Sequence, residues 1–266
     1  MLWKEMLNVF DKFEKMRIKL KLQWKLGFDW PITQIYEKTS GVIPWKVYTI
    51  WAYSNVWKSK FAYYHIAYFL KQKKKVLIIN LEVDAEHCLM NIIQAVENKS
   101  VNEMMDFTLT DENIEIYENL MIKDNLYRLE EITKCIEEVQ PDIVFIDFVQ
   151  NIQAQWWWAY EQNALIAKTI QRTAIQTKSV IYSLSQVSNE MWRNISNENL
   201  DFVALKGSWE YFASSDVIIL LRRWVEPWEM LVRLVKNKFW PNWVEMVLNV
   251  DFARNQFTYL RWTDDY

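Results

Sequence analysis

The segment TIWAYSNVWKSK, which begins at Thr49, joins an apolar strand to a short polar loop and the start of a helix. A phosphate-binding loop needs this order: a strand, a tight turn of backbone N–H groups, then Lys and Ser/Thr opening a helix. Lys58 is therefore predicted to reach the outer phosphates of a nucleotide, and Ser59 to bind Mg²⁺. The alternative is a helix that merely begins with a basic residue. The predicted ATP-binding residues are Ser54, Asn55, Val56, Trp57, Lys58, Ser59 and Lys60.

Polar residues also end three later apolar runs. VLIINLEVD contains Glu82, PDIVFIDFVQ contains Asp147, and VIYSLSQ ends in Gln186. Ligands of open α/β sheets bind at the carboxyl ends of the strands. Glu82 is predicted to activate water, Asp147 to hold Mg²⁺ with Ser59, and Gln186 to sense the terminal phosphate. Alone, Glu82 could be a solvated carboxylate and Gln186 an ordinary polar residue at a loop start. The order of all four strand ends favours the catalytic interpretation.

The elements that must position these residues follow from the hydrophobic pattern. Apolar runs predict strands over residues 46–50, 76–81, 114–117, 143–147, 180–184 and 217–221. Between them, helical patterns cover residues 58–71, 85–96, 127–139 and 160–177. Such alternation indicates an α/β fold with a mostly parallel sheet flanked by helices.

The two ends of the chain depart from this alternation. Residues 230–235 and 244–250 are predicted strands that flank KNKFWPNW, which indicates a C-terminal β-hairpin. Residues 2–23 carry an apolar stripe of 3.6-residue period and are predicted to form an amphipathic helix. That helix could dock on a neighbouring subunit, lie on a membrane surface or cover its own core. We therefore divide the chain into a helical extension, residues 1–27, and one domain, residues 28–266.

Composition and charge narrow the possible classes. The chain has 266 residues, 51% of them hydrophobic and 24% charged, which is ordinary for a globular domain with a sizeable core. Two cysteines without a CxxC motif and two histidines exclude a disulfide scaffold and a Cys- or His-rich zinc site. No apolar run is long enough for a membrane span, and no signal peptide is recognisable, so a cytoplasmic protein is expected. Residues 1–75 hold 15 Lys/Arg against 5 Asp/Glu, which fits a nucleic-acid or membrane contact or simply a solvated helix face.

In order and spacing, these motifs resemble the RecA-like motor domain of DnaB-type replicative helicases, over roughly residues 28–262. The matching segments are GVIPWKVYTI, INLEVD, VFIDFVQ, SLSQ, LKGSWE with SSDVIILL, and VKNKFWPNW. The resemblance implies a P-loop NTPase that uses ATP and Mg²⁺ to move on single-stranded DNA and unwind duplex in DNA replication. It also implies a homo-hexameric ring, in which the N-terminal helix docks on the adjacent subunit, and a primase or helicase loader as partner.

The resemblance assigns further residues. Lys236 and Lys238 match the basic hairpin residues that contact the γ-phosphate bound by a neighbouring subunit. The second is usually Arg, and Lys keeps the charge but lacks the planar fork. Lys206, Gly207 and Trp209 match a channel loop that grips DNA phosphates. The alternatives are a solvated strand edge for the lysines and an ordinary surface turn for the loop.

One feature of the composition is abnormal: the chain has 16 Trp and only 3 Gly. In the resemblance, Trp stands where glycine is usual at residues 45, 57, 209, 240 and 243. Glycine serves where φ is positive or where backbone approaches a phosphate. At about 1–2 kcal/mol for each left-handed residue, eight such positions would cost about 8–16 kcal/mol, as much as a whole domain's stability.

Our hypothesis is that these tryptophans are glycines encoded by UGA, a codon that some bacteria and their phages read as glycine and another code reads as tryptophan. Gly27, Gly41 and Gly207 would then come from ordinary glycine codons. The competing interpretation is a genuinely Trp-rich relative without catalysis, kept for binding or assembly. A stand-alone RecA-fold ATPase of recombination or regulation is the other alternative to a helicase motor.

Overall fold

A computed structural model describes residues 27–39, 41–53, 56–154, 159–187, 209–239 and 244–263, and helical residues 14–15 and 17–18 before them. The amphipathic helix predicted over residues 2–23 therefore lies mostly outside the described residues. No helix in the described ranges is long and apolar enough to cross a membrane.

A nine-stranded sheet forms the centre of the molecule, in the order β3-β2-β4-β5-β1-β6-β7-β8-β9. The strands from β3 to β6 in this order are parallel, and β6 to β9 continue the sheet as an antiparallel meander. Central strands β1, β2 and β4 are buried along their whole length, which explains why they read as uninterrupted apolar runs. The strand bounds are β1 Val47–Tyr53, β2 Val76–Asn80, β3 Leu120–Lys123, β4 Ile143–Asp147, β5 Val180–Val187, β6 Val217–Arg223, β7 Glu229–Asn237, β8 Val244–Asp251 and β9 Gln256–Trp262.

Helices cover both faces of the sheet. On one face, α2 and α3 pack against β-strand side chains such as Ile78, and on the other α6 and α7 pack against their neighbours Leu77 and Ile79. Since side chains alternate along a strand, one run of apolar residues supplies both layers of the core. The helix bounds are α1 Thr33–Thr39, α2 Lys58–Lys71, α3 Ala85–Glu97, α4 Val101–Met104, α5 Asp111–Tyr117, α6 Leu129–Val139, α7 Ala159–Thr177 and α8 Trp209–Ser214, with a 3₁₀ turn at Val149–Asn151.

This architecture confirms the predicted fold class and corrects two of its details. The strand predicted over residues 114–117 is wrong: that segment belongs to helix α5, and the strand follows it as β3. Four residues of apolar–polar alternation, IEIY, do not distinguish a strand from a helix, and Ile114 proves to be exposed. The predicted C-terminal hairpin is real as β7 and β8, but the sequence reading missed β9, which pairs with β8.

His65 of α2 is buried in the aromatic core and predicts a loss of stability in acid. Its Nδ1 bonds to the carbonyl oxygen of Phe61 at 2.8 Å, the rings of Trp30 and Tyr182 lie nearby, and burial lowers its pKa from 6.5 to about 4. The unfolded chain then binds the proton more readily than the folded chain, so this contribution is lost as the pH falls from about 6.5 towards 4. We expect a loss on the order of 3 kcal/mol in the free energy of unfolding.

Urea unfolding between pH 7 and pH 4.5 measures this effect. The His65→Phe variant is the control, because it keeps an aromatic ring but cannot take up the proton. Its stability should fall less with pH than that of the unsubstituted chain. Equal slopes for the two proteins would show that His65 does not carry the acid sensitivity.

Candidate functional site

The strand order places the predicted catalytic residues side by side. Strands β2, β4, β5 and β1 are neighbours in the sheet and run parallel. Their carboxyl ends therefore lie at one edge, with Glu82 after β2, Asp147 at the end of β4, Gln186 next to the end of β5 and Lys58 just after β1. Four separate sequence motifs converge here because of a single topological feature.

Lys58, Ser59 and Asp147 are in direct contact. The Nζ of Lys58 bonds to Oδ1 of Asp147, and the Oγ of Ser59 donates to Oδ2 of the same carboxylate at 2.6 Å. Lys58 also lies over the Phe148 ring, 4.8 Å from its centroid, and both charged side chains are about nine-tenths buried. Removing two charges from water has a desolvation cost, so a buried ion pair is weak evidence of a contribution to stability and favours a functional explanation.

A pocket of about 240 Å³ opens above this contact. Residues of the predicted phosphate loop line this pocket together with Glu82, which follows β2, and Gln186, which is next to the end of β5. The lining residues are Tyr53, Val56, Trp57, Lys58, Ser59, Lys60, Glu82 and Gln186. Ser54 and Asn55, predicted to belong to the same loop, lie outside the described residues.

Lys60 faces both the pocket and the turn between β8 and β9. Its Nζ donates to the carbonyl oxygen of Phe252 at 3.1 Å and to Oδ1 of Asn255 at 2.6 Å, and burial lowers its pKa. Asn255 is fully buried and in turn donates to the carbonyl oxygen of Asn91 on α3. Lys60 thus ties the helix after the phosphate loop to this turn, a role that the sequence did not predict.

The donor set fits Mg²⁺. A hydroxyl oxygen and a carboxylate oxygen stand together at Ser59 and Asp147, and Mg²⁺ binds proteins through one or two such ligands while phosphates and waters complete its shell. No cluster of three or more His, Cys, Asp or Glu side chains suited to a metal occurs in the described part of the chain. With these two protein ligands, a metal held here would take its remaining ligands from outside the chain, which is the arrangement that the sequence analysis expects.

Trp57 has the backbone conformation of a glycine. Its φ and ψ are 56° and 30°, the left-handed region, and it precedes α2 without any side-chain cap. The indole packs against the Phe252 ring at 4.2 Å between centroids, and the Arg223 guanidinium lies 5.0 Å from its centroid. Trp57 therefore fills space beside the helix N-terminus, where a bound phosphate would need close approach to backbone N–H groups.

Other positions give mixed support to the glycine hypothesis. Trp45 also has a positive φ of 57°, and Gly41 has a φ of 91°. The remaining tryptophans that the structure describes have no positive φ, and Trp30 and Trp51 are buried in the core. Two of the eight described tryptophans therefore carry left-handed strain, about 2–4 kcal/mol together, against about 4–8 kcal/mol if half of those eight did.

Lys236 and Lys238 lie away from the pocket. Lys238 Nζ is 3.2 Å from Oδ1 of Asp216, a carboxylate that also accepts from the backbone N–H of Val47 at the start of β1. Lys236 Nζ donates to the carbonyl oxygen of Ala213, and burial together with the charge of Lys238 lowers its pKa to about 8. Since β1 has seven residues, roughly 20 Å of strand separates this end from the phosphate loop.

The predicted DNA-binding loop is largely outside the described residues. This applies to Lys206 and Gly207, whereas Trp209 is described only as the first residue of helix α8. The turn that contains Trp240 and Trp243 also lies outside them. The assignments of these residues therefore stay predictions from the sequence.

Two residues near the site were not predicted from the sequence. Asn80 ends β2 and accepts hydrogen bonds from the backbone N–H groups of Glu82 and Val83. Gln150 donates from Nε2 to Ser185 Oγ at 2.7 Å and to the Gln186 carbonyl oxygen at 2.9 Å. The only signal for either was a polar side chain close to a strand end, which is too common to single out a residue.

The chain has the fold of the RecA-like ATPase domains found in DnaB-like helicases. The chain is similar to a solved structure described as an ATPase domain, with a TM-score of 0.80 and 16% identity over 98% of this chain and 99% of that one. It is also similar to a DnaB-like replicative helicase solved for its interactions with primase, with a TM-score of 0.78 and 16% identity over 96% of this chain and 68% of that one. Comparisons with protein-family models and with curated proteins give no match.

Proposed function

We propose that this chain is an ATP-hydrolysing motor domain of the DnaB-like helicase type, which moves on single-stranded DNA and unwinds duplex during replication. The observation that carries the proposal is the contact of Lys58 and Ser59 with Asp147 beneath a pocket lined by Glu82 and Gln186. These side chains lie at the end of the sheet formed by the carboxyl ends of the parallel strands, which is where phosphoryl transfer would need them. Such a motor would work in the cytoplasm.

The roles divide by position in the pocket. Lys58 and the backbone at the start of α2 bind the phosphates, where the helix N-terminus favours negative charge. Ser59 and Asp147 would hold Mg²⁺, whose positive charge would balance the charge of the phosphate oxygens. Glu82 accepts a proton from the attacking water, and Gln186 contacts the terminal phosphate. When the nucleotide binds, the Lys58 ammonium exchanges its contact with the Asp147 carboxylate for one with the phosphates, because a single ammonium group cannot hold both.

The location of Lys236 and Lys238 supports action between copies of the chain. Roughly 20 Å of β1 separates Lys238 from its own phosphate loop, so it can contact only the nucleotide of another copy. This supports an assembly in which one copy contributes to the site of another, and we include in the proposal the homo-hexameric ring that the resemblance to DnaB-type helicases implies. A primase is an expected partner, because a similar solved helicase is described with its interactions with primase, and a helicase loader is the other partner that the resemblance implies.

DNA-stimulated ATP hydrolysis is the experiment that tests this function. The full chain and its Trp57→Gly variant are assayed with MgATP, with and without single-stranded DNA, and then on a forked duplex. We expect the rate of ATP hydrolysis to rise about tenfold or more when DNA is present. DNA binding releases counterions and orders the loops that contact DNA, and both effects favour the active assembly. Lys206→Ala should remove the stimulation and keep the basal rate. Lys178→Ala, an exposed lysine at the other edge of the sheet, should change neither.

Each outcome separates the candidate functions. Hydrolysis with unwinding supports the helicase motor. Hydrolysis without unwinding favours a stand-alone RecA-fold ATPase of recombination or regulation. If neither protein hydrolyses ATP, a binding module is favoured. The observation that supports this alternative is the Trp57 indole, which lines the pocket.

A further inference from the structure

The turn that carries Glu82 is fixed through its backbone. Strand β2 ends at Asn80, and the chain bends over residues 81–83 before α3 begins. The Glu82 side chain is exposed, and no hydrogen bond or ion pair holds its carboxylate among the described residues. The position of that carboxylate therefore depends on the atoms that anchor the turn.

Asn80 supplies the central anchor. Its Oδ1 accepts from the N–H of Glu82 and from the N–H of Val83, each at 3.1 Å. Asn is suited to this Asx-type turn, in which a side-chain oxygen binds backbone N–H groups a few residues on. The Asn80 side chain is buried, with 1% of the residue exposed, so it has little freedom to leave this arrangement.

The other anchors connect the turn to the Mg²⁺ aspartate. Leu81 N–H donates to the carbonyl oxygen of Asp147 at 2.7 Å, and Asn151 Nδ2 donates to the carbonyl oxygen of Leu81 at 2.9 Å. These two bonds hold the chain that leaves β2 against the end of β4 and the 3₁₀ turn that follows it. Asn80 completes this connection at Glu82 itself.

We propose that Asn80 is a positioning residue that sets the location of the Glu82 carboxylate above the phosphate loop. The inference rests on the proposed function, because it assigns Asn80 a role in ATP hydrolysis. Asn80 does not line the pocket, and its side chain takes no part in the contacts of Lys58 and Ser59 with the Asp147 carboxylate. Its loss should therefore slow turnover and leave nucleotide binding intact.

The test is a series of variants of the full chain with Trp57→Gly, assayed for kcat and KM with MgATP. Asn80→Ala should lower kcat by about 10- to 100-fold, as expected for a displacement of about 1 Å, with KM within about twofold. Asn80→Ser, whose hydroxyl makes the same turn more weakly, should fall between. Ser179→Ala is the matched control: it removes a buried hydrogen bond at the opposite edge of the sheet, to Pro141, and should leave kcat unchanged.

A double variant separates positioning from general structural damage. In the presence of Glu82→Gln, Asn80→Ala should cause no further loss of turnover, because the group it positions is already gone. Amide exchange measured by NMR gives a readout without nucleotide: the N–H groups of Glu82 and Val83 should exchange about tenfold faster in Asn80→Ala. The inference would be overturned, with the proposed function left intact, by any one of three results: unchanged amide exchange, unchanged kcat, or an additive loss of turnover in the double variant. A parent protein without ATP hydrolysis would overturn the proposed function and the positioning role of Asn80 together.

Discussion

Replacement of Trp57 by glycine is expected to strengthen MgATP binding by about 100-fold. Residue 57 has a φ of 56°, which glycine adopts without strain, and its side chain lines the pocket. Without the indole, phosphates can reach the backbone N–H groups at the start of α2. Two regained hydrogen bonds to charged oxygens, at about 1.5 kcal/mol or more each, account for that gain. The pocket would also grow from its about 240 Å³ towards the range of about 300–1,000 Å³ typical of ligand sites.

Isothermal titration calorimetry with MgATP measures the change, and Trp45→Gly is its control. Trp45 has nearly the same φ, 57°, but is half-exposed and precedes β1, at the far end from the pocket. Its replacement should leave ATP affinity unaltered. If Trp57→Gly binds no better than the unsubstituted chain, Trp57 is not what limits nucleotide binding. Mass spectrometry of native peptide 47–58 shows separately which residue the organism inserts at position 57.

The second large effect is expected for Glu82→Gln, which should lower kcat by about 10²- to 10⁴-fold. Removal of a general base typically costs that much. The substitution keeps the shape of an exposed side chain, so the free energy of unfolding should change by less than about 0.5 kcal/mol. ATP affinity should stay within about twofold, because Lys58, Ser59 and Asp147 are untouched.

Steady-state hydrolysis and direct nucleotide titration together check this prediction. Glu86→Gln is the matched control, since Glu86 is an exposed carboxylate four residues further on that does not line the pocket. It should retain full turnover. Weaker ATP binding by Glu82→Gln at an unchanged kcat would remove Glu82 from the role of base and make it a binding residue.

Local sequence patterns predicted the elements that are buried on both faces. Helix α2 and strand β4 have the predicted bounds: α2 begins at Lys58 and β4 ends at Asp147, charged residues that mark a clear change in the apolar pattern. The pattern failed at residues 114–117, where a short alternation at the surface fits two structures equally well. It also missed β9, whose side chains are mostly half-exposed and whose partner is supplied by the fold.

The site shows the same division. The placement of Lys58, Asp147 and Glu82 at one end of the sheet could be predicted, because a strong strand signal lies at or just before each of them. Asn80 could not, since its importance comes from two backbone N–H groups that only the folded turn presents to it. Nor could the sequence tell which tryptophans take a glycine conformation: Trp57 does, whereas Trp51, six residues earlier, is an ordinary buried strand residue.

The opposite placement of the phosphate loop and Lys238 along β1 has a consequence for symmetry. If Lys238 of one copy contacts the nucleotide of the next, the two surfaces that meet are different, and the contact is heterologous. After two copies have joined through such a contact, one copy still has an unused Lys238 surface and the other an unused nucleotide surface. A closed dimer therefore leaves one contact of each kind unmade. The rotation between successive copies then decides the outcome: a rotation that divides a full turn closes a ring, and any other produces a helical filament.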